Sequence, residues 1–237
     1  MFGLAPPPYR LRPLLIPVSA LLDQFAQPET YADPSGDWPF GPLRFQLLRR
    51  AFDLDFRSPA LAETLLTSTD RLSAAGLSRP QPLQPRHERG DFDCGTPVIN
   101  ERLKDTGSYG PLEGIETWVL VDREDRVGAY YATRPARIRS EAPAGGEPLP
   151  VTLICSIGID RAWAGRGGAR AMVGALYQQA WELRTHRRSL GVMGFAITPQ
   201  AKAFFEHCGA RPMGEAIHPT VILTTIKDIA GAVGEPL

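Results

Sequence analysis

The stretch Leu153–Arg170 reads Leu-Ile-Cys-Ser-Ile-Gly-Ile-Asp-Arg-Ala-Trp-Ala-Gly-Arg-Gly-Gly-Ala-Arg, an apolar run that passes into a glycine-rich turn. Beyond the turn, apolar residues recur at 172, 173, 176, 177, 180 and 181, the spacing of one helical face. A strand, a glycine turn and a helix in that order make a cradle for an anion. Glycines let successive backbone N–H groups converge, and the helix N-terminus adds partial positive charge. The stretch predicts binding of a phosphorylated cosubstrate.

The same residues sort the kinds of cosubstrate. A dinucleotide turn needs G-x-G-x-x-G/A; Gly165 and Gly167 fit, but Arg170 stands where the third small residue belongs. A nucleotide P-loop needs G-K-S/T, which is absent. There remains the turn Ala164, Gly165, Arg166, Gly167, Gly168 and Ala169. It resembles the acetyl-CoA loop of the GNAT acetyltransferase superfamily, Q/R-x-x-G-x-G/A. Gly167 and Ala169 match that pattern, and Ala164 departs from its first position.

Further motifs carry a closer resemblance. Phe92-Asp93-Cys94-Gly95, running on through Val98 to Leu103, is similar to the F-x-C/S-G-x-x-x-L opening of the acetyltransferase toxins of bacterial toxin–antitoxin modules. Val127–Ala132 resembles their V-x-G-Y-Y-x strand, and Ile157–Arg161 their L-A-V-D-x segment. Ala201–Pro212 resembles their A-x-x-F-Y-x-x-F-G-F-x-P ending. The match runs in order over residues 83–228. It implies an α+β fold of GNAT type: a mixed, mostly antiparallel sheet whose central strands splay, flanked by helices. It also implies acetyl-CoA as cosubstrate and an amine as acceptor, that of an aminoacyl-tRNA in these toxins; the alternative enzyme is a protein or small-molecule N-acetyltransferase that is not a toxin. An antitoxin is the partner that the resemblance suggests, and a second copy of the chain, a homodimer, is a further candidate for contact with residues 1–80. A cofactor-binding module without turnover is the rival class. One departure bears on chemistry: Phe205 stands where the family carries a tyrosine whose phenol can protonate the leaving thiolate.

Acetyl transfer to an amine needs a donor at the thioester oxygen, a clamp on the pyrophosphate, a route for the amine proton and an exit for the thiolate. Ile157, Gly158 and Ile159 are the candidate strand for the first. Gly165–Ala169 supply the second, with Arg166 or Arg170 assisting, and Phe204 is a further candidate cofactor-binding residue. Glu116, Tyr130 and Tyr131 are the candidate bases, and strand alternation puts one of the two tyrosines in the cleft. No metal-binding spacing is present. Cys94, Cys155 and Cys208 make three cysteines without C-x-x-C, which fits a reducing compartment.

The elements that must hold these residues can be read around them. Leu43–Leu54 carries apolar residues at 43, 47, 48, 51 and 52, one helical face. Ser58-Pro59 opens a second helix, which Gly76 ends. Met1–Asp37 is rich in proline, and Ser78–Arg89 reads as a linker. Residues 1–80 thus form a partly helical extension, and residues 81–237 the transferase domain. There, Val98–Leu103 predicts a short helix, Thr117–Val121 and Val127–Ala132 a hairpin, and Ser140–Gly146 a loop. Pro150–Ile159 and Leu190–Ile197 predict strands around the helix Gly167–Leu183. A helix opening at Thr198-Pro199 and closed by Gly209, then a strand Pro219–Ile226, complete the order.

Charge is balanced, 26 Lys plus Arg against 26 Asp plus Glu, so no global field draws the chain to nucleic acid or membrane. Residues 161–190 nonetheless hold Arg161, Arg166, Arg170, Arg184, Arg187 and Arg188 against Glu182 alone. No apolar run of about 18 residues suggests a membrane span. No secretory leader is read at the N-terminus, and the expected compartment is the cytoplasm.

Overall fold

The computed structural model describes residues 37–40, 42–54, 56–105, 114–140, 146–213 and 220–235. The proline-rich start up to residue 36, and residues 141–145 of the expected loop, lie outside them. The extension contributes β1 (Asp37–Phe40), α1 (Pro42–Asp53) and α2 (Pro59–Ala74). There follow β2 (Gln81–Pro82), α3 (Pro97–Lys104), β3 (Glu116–Val121), β4 (Val127–Ser140) and β5 (Leu149–Ile159). The remainder is α4 (Gly168–Glu182), α5 (Arg184–Arg187), β6 (Gly191–Ala196), α6 (Pro199–His207), β7 (Arg211–Met213), β8 (Thr220–Thr225) and α7 (Ile226–Val233).

One sheet runs β2-β3-β4-β5-β6-β8-β7, with β1 parallel to the far end of β4. The expected hairpin pairs Thr117 with Ala132 and Leu120 with Ala129. Two local features of the sheet set up the site. β4 and β5 slip register between Ala132↔Ser156 and Thr133↔Ile154, so Cys155 is the extra residue of a bulge. β5 and β6 pair only at Thr152↔Val192 and Leu153↔Met193. Beyond Leu153, β5 therefore continues to Ile159 with β4 on one side and, among the described residues, no strand on the other.

The sheet is covered on both faces. On the first face α4 lies against Leu120, Ala129 and Tyr131, with Phe205 and Cys208 of α6 and its C-cap beside it. α2 covers α4 in turn, burying Leu61, Leu65 and Leu72 in the same cluster. The two helices approach closely at Gly174, where a Cβ would fall 2.4 Å from the Thr64 carbonyl oxygen. Burying leucines of this size contributes about 1.5–3 kcal/mol each, so α2 is an integral layer of this core. On the second face there are two separate clusters. Phe92, Leu103 and Tyr130 sit under α3, whereas Ala136, Ile138, Leu149, Val151 and Leu153 sit under Phe45, Leu48 and Phe52 of α1. A row of β4 and β5 residues lies between them.

His87 anchors the entry to this second face. It is 2% exposed, its Nδ1 accepts the Gln84 N–H at 3.0 Å, and its Nε2 is buried without a partner among the described residues. Burial lowers its pKa, helped by Arg86 and Arg89 and opposed by Asp125. A folded-state pKa below the unfolded value of about 6.5 means that the contribution is complete above pH about 6.5. It is lost as pH falls through the lowered folded value, because the unfolded chain takes up the proton first. Denaturant midpoints should fall on acidification from pH about 6.5 down to that lowered value, and His87→Gln should flatten this limb. An unchanged slope in the variant would assign the limb to other groups.

Candidate active site

The candidate anion cradle is the turn between β5 and α4. Gly165 and Gly167 take φ +75° and +79°, the left-handed region that glycine enters without steric cost. Gly167 is the N-cap of α4 and provides no side-chain cap. The first backbone bond of the helix runs from the Ala171 N–H to the Gly167 carbonyl. Among the described residues, none of the N–H groups of Gly165–Arg170 donates to a backbone carbonyl. They form a free donor row at the positive end of a four-turn helix, which fits a pyrophosphate.

The base of this turn is fixed to the Phe92–Leu103 motif. Asp160 accepts the Asp93 N–H and the Ala162 N–H, each at 2.8 Å. The Asp93 carboxylate accepts from the Gly95 N–H and the Asn100 amide and pairs with Arg161 at 3.1 Å. These contacts hold the Asp93 carboxyl below the usual range, the Gly95 N–H contributing most. The two sequence motifs, 67 residues apart, are thus one clasp that sets the turn against the sheet.

At the bulge a second set of groups converges on the other face. The Tyr130 hydroxyl donates to the Ile99 carbonyl at 2.7 Å and lies 2.7 Å from Ser156 Oγ. Phe92 meets the Tyr130 ring edge-on at 5.5 Å. Arg102 of α3 donates to the Cys155 carbonyl at 3.1 Å. Arg134, on the same β4 row as Tyr130, Ala136 and Ile138, is 5% exposed. Sequence analysis singled out none of Ser156, Arg102 or Arg134. Arg134 had a signal: it is an arginine at an inward position of an alternating strand.

The other candidates are distributed as follows. Ile157 and Ile159 pack toward the α4 face, and Gly158 faces Ile99, Phe92 and Tyr130. Arg166 is exposed beside the cradle. The Arg170 guanidinium turns away from it, donating to Thr64 Oγ1 at 2.7 Å, Glu63 Oε1 at 2.9 Å and the Ala60 carbonyl at 2.9 Å. Only its backbone N–H remains with the cradle. Phe204 is partly buried and meets Phe205 ring-to-edge at 5.4 Å, and Phe205 is 5% exposed within the first-face core.

Tyr130 and Tyr131 point to opposite faces, as alternation requires. The Tyr131 hydroxyl donates to Gln179 at 2.9 Å. Burial, with Glu182 adding to it, raises the Tyr131 phenol well above the ordinary value. Glu116 pairs with Arg187 at 2.5 Å beyond the C-terminal end of α4. At about 1.5 Å per residue, the 15-residue helix puts roughly 22 Å between that end and the cradle. Burial pushes the Cys208 thiol up to about 12, which leaves it an inert core residue.

The fold that carries this site is shared with solved proteins. A variant of the toxin AtaT with a tyrosine changed to phenylalanine, bound to the C-terminus of the antitoxin AtaR and acetyl-CoA, superposes with a TM-score of 0.58. The match is 19% identical and covers 68% of this chain and 99% of that one. The fold is the GNAT fold of these toxins. AtaT complexed with acetyl-methionyl-tRNAfMet gives a TM-score of 0.57 at 17% identity, over 66% of this chain and 99% of the other. In sequence, the chain is 23% identical over 174 residues to a tRNA-acetylating toxin of Mycobacterium tuberculosis, spanning 68% of this chain and 99% of that protein. No protein-family model matches. The GNAT frame is thus nearly complete in these relatives, and about a third of the present chain lies outside the match. None of the helices among the described residues is long and apolar enough to cross a membrane.

Proposed function

We propose that the chain is an acetyl-CoA-dependent N-acetyltransferase of the cytoplasm, whose acceptor is the amine of an aminoacyl-tRNA. The observation that carries the reading is the free N–H row of Gly165–Arg170 at the end of a strand that has parted from β6. The acceptor is supported by the sequence likeness to a tRNA-acetylating toxin. Residues 81–237 form the transferase, with α2 of the extension as its outer layer. An antitoxin and a second copy of the chain are its proposed protein partners.

Acetyl-CoA supplies an acetyl group activated as a thioester. The backbone of Gly165–Arg170, with the Arg166 side chain, holds the pyrophosphate. Backbone N–H groups of β5 in the segment Ile157–Ile159 face the gap and polarise the thioester oxygen. The new bond joins the amine nitrogen to the acyl carbon, and the carbon–sulfur bond breaks. The amine proton leaves through water beside the Tyr130–Ser156 pair. Positioning supplies most of the rate, since well-oriented intramolecular reactions reach effective molarities of about 10⁵–10⁸ M.

Incubation of the purified chain with labelled acetyl-CoA and charged tRNA tests this directly. Label that precipitates with RNA and is released by mild base, which splits aminoacyl esters, supports the reading. Label found only in protein or only in small molecules replaces the acceptor. Binding of acetyl-CoA without transfer leaves a non-catalytic module.

Phe205 has no proton to give the leaving thiolate, so solvent must supply it. Positioned general acids contribute about 10²–10⁴-fold. Phe205→Tyr should raise kcat by at least about tenfold and leave KM for acetyl-CoA unchanged. An unchanged kcat would mean that thiolate protonation does not limit turnover.

A further inference from the structure

Arg134 is the least expected charge in the molecule. It is 5% exposed, and its Nη2 is buried without a hydrogen-bond partner among the described residues. No carboxylate among them pairs with it. A guanidinium stays protonated in any protein environment, and burying an unpaired charge is strongly unfavourable. Arg170 and Arg211, also nearly buried, each pair with a carboxylate. Arg134 is the exception.

Its place in the sheet says what the charge faces. Arg134 pairs with Leu153, the last β5 residue still joined to β6. It lies on the second face, in the row between the cluster under α3 and the cluster under α1. The cradle begins after Asp160, seven residues along β5 from Leu153, which is about 23 Å at 3.3 Å per residue. The Ile157–Ile159 segment, whose N–H groups are the proposed donors to the thioester oxygen, lies between the two. Arg134 therefore stands on the far side of those donors from the cradle, the side left for an acceptor. Arg102, donating to the Cys155 carbonyl, is a second guanidinium on the same face.

We infer that Arg134 is the seat for a phosphodiester of the acceptor. The inference rests on the proposed acceptor, an aminoacyl-tRNA. In an aminoacyl ester the amino acid's own carboxylate is consumed by the ester bond, so the oxyanion such a molecule presents near its amine is the backbone phosphate of the terminal nucleotide. A planar guanidinium matches phosphate geometry with two parallel N–H donors. The phosphate supplies the counter-charge that Arg134 lacks, and its capture sets the distance from the amine to the Ile157–Ile159 donors.

The test uses CoA-loaded full-length chain and puromycin, a stable aminoacyl-adenosine analogue, with and without a 5′-phosphate. Calorimetry should show the phosphorylated form binding at least about tenfold tighter, the contribution of one charge-assisted pair. Arg134→Gln should reduce that ratio below about threefold, and Arg134→Lys should keep part of it; neither should change CoA affinity. Equal binding of the two forms by the wild-type chain overturns the seat, as does an Arg134→Gln variant that weakens both alike. A wild-type preference for free amino acids over their amides also overturns it, because the anion is then a carboxylate. Discrimination by phosphate without acetylation of charged tRNA sinks the transferase reading and leaves the seat standing. No binding of either form removes both.

Discussion

Gly167→Val should abolish useful acetyl-CoA binding while leaving a folded protein. Gly167 sits at φ +79°, where an L-residue costs about 1–2 kcal/mol and a β-branched one more. Space is not the obstacle, since a Cβ there would meet only Arg71 atoms at 3.8 Å. The chain can therefore relieve the strain by rotating φ toward negative values. That rotation turns the N–H groups of Gly167 and Gly168 out of the converging row. Charge-assisted hydrogen bonds contribute about 1.5–3 kcal/mol each, so losing two weakens the complex by at least about 100-fold. Calorimetric titration with acetyl-CoA measures this. Gly231→Ala is the control, because that glycine has no neighbour within 4 Å of the Cβ position and no left-handed φ. Wild-type affinity in the Gly167 variant would place the pyrophosphate elsewhere on the molecule.

The cradle is also where sequence and structure agree most closely, for a physical reason. Glycine, strand and helix signals are local, so Leu153–Arg170 could be read without knowing the rest of the chain. The direction of a long side chain is not local. Arg170 could be counted toward the cradle, but its guanidinium is taken by Glu63, Thr64 and Ala60 of α2, about a hundred residues earlier. Glu116 and Tyr131 likewise proved to have partners on α4 and α5.

Element boundaries failed where tertiary contacts override pattern. The apolar set 43, 47, 48, 51 and 52 of α1 missed Phe45, which is 1% exposed, and included Leu47, which is 48% exposed. The buried stripe is 45, 48, 51 and 52, an i, i+3, i+6, i+7 spacing that keeps three of the expected positions. β4 was expected to end at Ala132 but runs to Ser140. Arg134, Pro135, Arg137 and Arg139 mask an alternation that Ala136 and Ile138 continue on the inner face. Ser78–Arg89, read as a linker, holds β2 and joins the sheet edge, with the Ser78 N–H donating to the Val121 carbonyl at 2.7 Å. The strand β7 and the helix α7 were not anticipated, although Thr225 and Asp228 form a capping box at the start of α7.

That capping box carries the largest expected loss of stability. Asp228 is 3% exposed, and its Oδ2 accepts both the Thr225 N–H and Arg211 Nη2 at 2.8 Å. Arg211 in turn donates to the Ala51 carbonyl of α1 at 2.9 Å. One carboxylate thereby ties α7, β7 and, through the arginine, the extension. Asp228→Ala removes the cap acceptor and leaves a buried guanidinium without a counter-charge. Breaking a buried pair in this way costs about 3–5 kcal/mol, or about 10 °C in Tm for a chain of this length. Asp228→Asn should cost less, since its amide oxygen still accepts the Thr225 N–H. The intact pair itself need not be strongly stabilising. Asp228 Oδ1 and Arg211 Nε are buried without partners among the described residues, so part of the desolvation cost is uncompensated. Arg211→Met combined with Asp228→Leu should therefore recover most of the single-variant loss, to within about 1–2 kcal/mol of wild type. Denaturant melts of the two single variants and the double variant decide the matter. A double variant as unstable as Asp228→Ala would mean that the carboxylate acts chiefly as the helix cap, with the arginine incidental.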